Sequence, residues 1–324
     1  MGTDLKFIRP LIGRFETAGI EVRVDEWPKF RVHDRKATKA VLKWAQVVIC
    51  EWAGPNAVVA SRLKSPGQRL IVRLHRMELS HPEWRDIDIE AVDRVVAVGP
   101  HYRRQILEVT GWPDDKIMLI PNFVDETALS LPKMKDARSN LGMLGYASQR
   151  KRVDLALDVL MRVRAGDSRF RLFLKGSDPW SLKWVEDRPE EVAFFARVRH
   201  TLDSEPILNG GVIFDPPDPD VGPWLQKIGF VLSTSDDESF HLSPAEGMAS
   251  GAVPVVGNWP GADEIYAPEW VLDGAATMAE RILAVGAEEE SWREAGQRAQ
   301  QEVLSKYSLD RVAGLWESLI TDDK

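Results

Sequence analysis

Apolar runs and amphipathic stretches alternate along the whole of this chain. Residues 5–18 repeat apolar positions at helical spacing and stop at Gly19, and 20–24 reads as a strand. Helices follow over 37–44, 55–63 and 100–109, interleaved with strands over 47–50, 70–74, 92–98 and 117–120. The strand runs are almost continuously apolar, the pattern expected of a parallel sheet covered by helices on both faces. Residues 131–135 have little periodicity and read as a linker. A second series then begins with a strand over 141–145 and a helix through Asp154, Ala156, Leu157, Val159 and Leu160. Strands over 170–176, 211–214 and 229–233 come next, and an amphipathic helix over about 305–324 closes the chain. The expectation is an α/β protein of two doubly wound domains, 1–130 and 138–304.

Residues 230–257 concentrate the chemistry. The run Phe230-Val231-Leu232-Ser233 ends in Asp236, Asp237 and Glu238. A polar turn then leads to a helix and a second apolar strand, Val253-Pro254-Val255-Val256. Ser243 reads as the helix N-cap, with Pro244 in the first turn and Glu246 completing a capping box, and Gly251 as the left-handed residue that ends the helix. A strand-to-helix turn of this kind aims free backbone N–H groups and the positive end of the helix dipole at an anion, typically a phosphate. Any such turn can carry a capping box for structural reasons alone. Two carboxylates flanking it, Glu238 and Glu246, add acceptors suited to hydroxyls. Phosphate flanked by hydroxyls describes a nucleotide sugar.

This region resembles the signature of the retaining family 4 glycosyltransferases, of the GT-B fold. The resemblance implies two Rossmann-like domains facing across a cleft, with the donor held mainly on the second. It implies that Glu238 orients the donor sugar, that Glu246 holds the ribose, and that the backbone of Phe240, His241, Leu242 and Ser243 faces the diphosphate. His241 stands where the family usually has Gly, which narrows the approach to the phosphates or adds a donor to them. Lys151 matches the family's lysine for the leaving diphosphate. The arginine position holds Tyr146, so Arg150 or Arg152 is expected to substitute. Three consecutive cations at a helix start oppose the dipole, a conflict that a bound diphosphate would relieve. The backbone at Phe214 and Asp215 is where the family holds the base.

In parallel sheets, ligands bind at the carboxyl ends of strands. That rule picks out Glu51 and Trp52, His75, and Asn122 in the first domain. By resemblance His75 lies near the reacting sugar; Glu51, Trp52, Arg73 and Asn122 are expected on the acceptor side from their place in the first domain. Trp52 and Trp259 are the tryptophans best placed to stack on a sugar. The family begins with a strand before its first helix, whereas here only Met1-Gly2-Thr3 precede Asp4, which suggests a chain cut from a longer polypeptide. The alternatives within this reading are a nucleotide-sugar-binding subunit with impaired catalysis and a GT-B nucleotide-sugar epimerase.

Composition narrows the partners. Net charge is −8, with +2 over residues 1–130 and −10 over the remainder, and the acidic second half argues against nucleic-acid binding. Basic positions in the first half (Arg31, Arg35, Lys36, Lys39, Arg73, Arg76) offer a surface for an anionic acceptor or for peripheral contact with a membrane carrying a lipid-linked one. A single cysteine, Cys50, excludes an internal disulfide and suits a cytoplasmic setting. The D-x-D patterns at Asp86-Ile87-Asp88 and Asp218-Pro219-Asp220 lack the strand context of a metal site. No essential metal or other cofactor is expected beyond the nucleotide-sugar co-substrate, and the acceptor is expected to be a saccharide or lipid-linked saccharide.

Overall fold

A computed structural model describes residues 1–322. Residues 323 and 324, the end of the expected terminal helix, lie outside the described residues. The chain divides into two compact units, Met1–Phe123 with Leu309–Lys324, and Val124–Ser308. Lys133 and Met134, in the stretch read as a linker, bond to Leu225, Ser250 and Gln226 of the second unit.

In the first unit a parallel four-stranded sheet runs in the order β1 (Val47–Glu51), β2 (Arg69–Leu74), β3 (Arg94–Ala97), β4 (Ile117–Leu119). Its strands are apolar on both faces because each face has its own core. Val48, Cys50, Leu70, Val72, Leu74, Val95 and Ala97 pack with Leu42, Ala57, Ala60 and Ile106 from the helices on one side. Ile71 and Val96 point the other way, into a core made by Leu11 and Phe15 of the helix Arg9–Thr17 and Val312 and Trp316 of the helix Leu309–Thr321. The period-two alternation of strand side chains produces this division. Cys50 lies in the first core, where burial pushes its thiol up to about 12 and leaves it unreactive.

The second unit carries a parallel six-stranded sheet in the order β10-β9-β8-β5-β6-β7. These strands are β5 (Asn140–Leu144), β6 (Arg171–Lys175), β7 (Val212–Asp215), β8 (Phe230–Ser233), β9 (Val253–Gly257) and β10 (Val271–Leu272). From β5 the chain winds outward through β6 and β7, then returns to place β8 on the other side of β5. The strand order therefore reverses between β5 and β8, the position at which open α/β sheets bind their ligands.

Two expectations need correction. Residues 20–24 form no strand; an isolated parallel bridge joins Gly2 to Glu26 nearby. A parallel strand needs a partner from elsewhere in the chain, and apolar spacing alone does not supply one. Ser243 is not an N-cap. The helix is Leu242–Ala249, and His241 precedes it in the left-handed region (φ 54°) with no side-chain cap. The Ser243 hydroxyl instead bonds to the carbonyl of Leu144, so no capping box forms. Gly251 does take the left-handed conformation expected of it (φ 78°).

Candidate functional site

Two loops leave the carboxyl ends of β5 and β8. They are stapled together through the backbone. Thr234 Oγ1 donates to the Lys151 carbonyl at 2.8 Å, and the Asp236 N–H donates to the Arg150 carbonyl at 2.9 Å. At their junction the Glu238 carboxylate accepts from Lys151 Nζ at 2.6 Å and Ser235 Oγ at 2.8 Å, and pairs with Arg150 at 2.7 Å. Burial opposes ionisation of Glu238, but Lys151 and Arg150 beside it outweigh that cost and hold its carboxyl well below the ordinary value.

His241 completes the cluster. Its Nε2 lies 3.2 Å from Lys151 Nζ and its Nδ1 lies 2.6 Å from Ser233 Oγ. Burial and the neighbouring Lys151 push it down to about 3, so the ring is neutral at pH 7. A lysine ammonium can only donate. We therefore assign the tautomer in which Nε2 accepts from Lys151 and Nδ1–H donates to Ser233, whose oxygen also accepts from Trp259 Nε1 at 3.2 Å. The strained backbone of His241 is pinned by Tyr266, whose hydroxyl donates to its carbonyl at 2.6 Å. The adjacent helix start presents the N–H groups of Leu242 and Ser243, uncapped by any side chain, beside this cationic cluster.

The three consecutive cations do not wait for a diphosphate to relieve them. Arg152 pairs with Asp154 and Asp236, each at 2.9 Å, and Arg150 and Lys151 share Glu238. Neighbouring carboxylates resolve the conflict with the helix dipole, and Arg152 is turned away from Glu238 by its own pairs. Tyr146 is buried against Phe214 and brings no charge to the family's arginine position. Asp215 ends β7, the edge strand, and its carboxylate is held by Trp224 Nε1 and Lys227 rather than by the cluster. Trp259 is buried, so it supports Ser233 instead of offering a face to a sugar. Glu246, on the helix Leu242–Ala249, has its carboxyl pushed up to about 8 by desolvation.

A second cluster forms in the first unit. His75 Nε2 and Glu51 Oε1 are 2.9 Å apart; Arg73 pairs with Glu51 at 3.4 Å and donates to Asn122 Oδ1 at 2.6 Å. The Trp52 ring lies 4.3 Å from that of His75, and Trp52 itself has φ 74°. The structure thus gathers Glu51, Trp52, Arg73, His75 and Asn122 into one network. Arg73 is fully buried and so is no part of a basic surface. The sequence reading missed Glu78, which accepts from the N–H groups of Ala53 and His75 at 3.1 Å each and whose carboxyl burial pushes up to about 7. Tyr266, 25 residues from His241, and the hydroxyl of Ser233, which ends β8, also lie outside the expected set of site residues. Among the described residues, no group of three or more His, Cys, Asp or Glu could hold a metal, and no helix is long and apolar enough to cross a membrane.

A pH dependence follows. His241 binds a proton near 6.5 when unfolded and near 3 when folded, so its contribution is intact above 6.5 and lost as pH falls. Glu238, lowered from 4.5, has the same sign below that value, and His75, lowered by burial, adds to it. Stability is expected to fall by up to about 1.4 kcal/mol per pH unit from His241 alone below pH 6.5. Thermal melts from pH 7 to 4 should show this decline, and His241→Gly should flatten its upper part; an unchanged slope would exclude a buried neutral histidine.

Residues 82–311 match the family model described as Family 4 Glycosyltransferase in conflict systems. No protein of curated function matches the chain. Among solved structures, TarM of S. aureus is similar over 89% of this chain, with 18% identity and a TM-score of 0.67, and this chain covers 57% of TarM. A glycosyltransferase from Rickettsia africae is similar over 97% of this chain and 88% of its own (14% identity, TM-score 0.68). HepE from Anabaena, solved with UDP and glucose, is similar over 96% and 89% (15% identity, TM-score 0.67). At these identities the likeness establishes the fold, which is GT-B.

Proposed function

The chain belongs to the family 4 glycosyltransferases, and from that premise we propose that it moves a sugar from a nucleoside-diphosphate sugar to a saccharide or lipid-linked saccharide, with retention of configuration. The observation that carries this reading is the meeting of Lys151, Glu238 and an uncapped helix start at the point where the strand order reverses. Sugar hydroxyls would take the place of Lys151 at the Glu238 carboxylate. The released ammonium, with the N–H groups of Leu242 and Ser243, would meet the charge growing on the departing diphosphate. Glu246 would hold the ribose. The departing phosphate would take the acceptor's proton, so no separate base is required. In the first unit, Glu51 would orient the His75 ring toward the acceptor.

A second reading is a nucleotide-sugar-binding subunit without turnover. It is favoured by Tyr146, which leaves the arginine position uncharged, and by the pairing of each cation with a carboxylate.

Thermal shift with UDP-, GDP-, ADP- and dTDP-sugars, in the presence of a chelator, tests the proposal. A donor at a hundredfold its Kd stabilises by about 2.7 kcal/mol, or about 5–10 °C for a unit of this size. One donor family is expected to give that shift and Glu246→Ala to abolish it. No shift with any donor would sink both readings; a shift without nucleotide release in a mixed acceptor pool would favour the second.

A further inference from the structure

Lys175 ends β6 and is buried, with 7% exposure. Its ammonium donates to the Pro216 carbonyl at 3.1 Å and, among the described residues, pairs with no carboxylate. An ammonium carries three donor hydrogens, and a buried charge is ordinarily paired. That single bond leaves two hydrogens without an acceptor among the described residues. Asp215 is the register partner of Lys175 on β7, yet its carboxylate turns elsewhere. Its Oδ2 accepts from Trp224 Nε1 at 2.7 Å and from Lys227 Nζ at 2.8 Å. Both bonds fall on the same oxygen, which leaves Oδ1 to accept from something else.

The faces of the sheet put this pair beside the proposed donor site. Residues in register on neighbouring parallel strands point to the same face. Val231, Gly142 and Phe173 form one such row across β8, β5 and β6. Gly247 of the helix Leu242–Ala249 packs on Val231, and Trp224 and Ile228 lie against Gly142. Two residues further along, at the carboxyl ends, the same face carries Leu144, Lys175 and Asp215 in register. The Ser243 hydroxyl bonds to the Leu144 carbonyl, so this row begins at the helix start proposed to meet the diphosphate. Neighbouring strands are ~4.8 Å apart, which puts Lys175 one strand and Asp215 two strands, about 10 Å, from that end. Lys175 leans outward toward Pro216, on the side of β5 opposite β8 and the Lys151–Glu238 cluster. A nucleoside running outward from the diphosphate along this row brings its base, not its phosphates, to the pair.

Lysine can only donate and a carboxylate can only accept. Side by side they match a ring carbonyl next to a ring N–H, as uracil and thymine present at O4 and N3, and guanine at O6 and N1. Adenine and cytosine carry the reverse, an amino group beside a bare ring nitrogen. They would set donor against donor and acceptor against acceptor. We propose that Lys175 and Asp215 read the base of the donor nucleotide and select an oxo base over its amino counterpart. This rests on the proposed nucleotide-sugar site and sharpens it. Both bonds are charge-assisted, and the buried ammonium gains an acceptor that the fold itself does not supply.

Two pairs of nucleoside diphosphates differ only at this edge: UDP against CDP, and IDP against ADP. Calorimetry on the full chain should find the oxo member of a pair tighter by about 10- to 100-fold, the discrimination of a good two-point contact to a base edge. Lys175→Met keeps the side-chain length and removes the donors. It should erase the difference by weakening the oxo member to the level of the amino one. Methylation of UDP at N3, or of IDP at N1, should weaken binding to the unaltered protein at least about tenfold; this comparison stands even if the variant folds poorly. Equal affinity within the pair that binds, or equal weakening of both members by Lys175→Met, would overturn the base reading and leave the donor site standing. No binding of any of the four at about 1 mM would overturn the donor site itself, and the base reading with it.

Discussion

Lys151→Ala is expected to lower nucleotide release from the donor by about 100- to 1000-fold, with a loss of stability of about 1–3 kcal/mol. The two effects separate because of how the cluster is built. Glu238 keeps Arg150 at 2.7 Å and Ser235 at 2.8 Å when the lysine is gone, so no buried carboxylate is left bare. The charge proposed to meet the departing diphosphate, however, would have no replacement while Arg150 stays on Glu238. Arg152 is committed to Asp154 and Asp236, and Tyr146 is neutral. Steady-state release and a thermal melt on the same sample check both halves. An unchanged rate would remove Lys151 from the reaction. A large fall in melting temperature would mean that its role is to hold the two loops together.

Arg73→Ala is expected to cost the first unit about 3–5 kcal/mol. Its guanidinium donates to the Phe7 carbonyl at 3.2 Å and to Asn122 at 2.6 Å, and pairs with Glu51 at 3.4 Å. The rings of Phe7 and Trp316 lie 5.8 and 5.7 Å from it. Alanine would leave the Glu51 carboxylate, itself buried, without its permanent cation. The Glu51 carboxyl is lowered despite burial because Arg73 and His75 face it. Arg73→Lys should rescue little, since a point charge cannot reach three partners in a plane as a guanidinium does. Arg73→Met combined with Glu51→Gln should recover part of the loss by removing both charges together. Urea unfolding followed through amide exchange in β2 reads this; additive losses in the double variant would argue against a coupled pair.

Much of the second unit's site was legible in the sequence because its signals are local. The acids after β8, the helix that follows and Gly251 lie within one short stretch, and each expresses a preference of backbone or side chain that needs no distant partner. The capping box failed at that same place for a non-local reason. Tyr266, 25 residues from His241, fixes the turn and moves the helix start back to Leu242. Arg73 resembled a surface cation because its charge says nothing of burial. Its partners at Phe7, Glu51 and Asn122 make an interior position tolerable.

The sequence by itself determined the class of this protein: apolar strands too continuous to face water, alternating with helices, and a carboxylate-flanked strand-to-helix turn. Tertiary structure alone decided which strands are neighbours. The return of β8 to the side of β5 brings Lys151 to Glu238 across 87 residues. It also decided that residues 20–24, despite their strand-like spacing, have no ladder to join. The physical reason is the same in both cases. Helices and turns satisfy their hydrogen bonds within a few residues, so their sequences carry the instruction; a parallel strand and a buried charge are satisfied only by groups far along the chain.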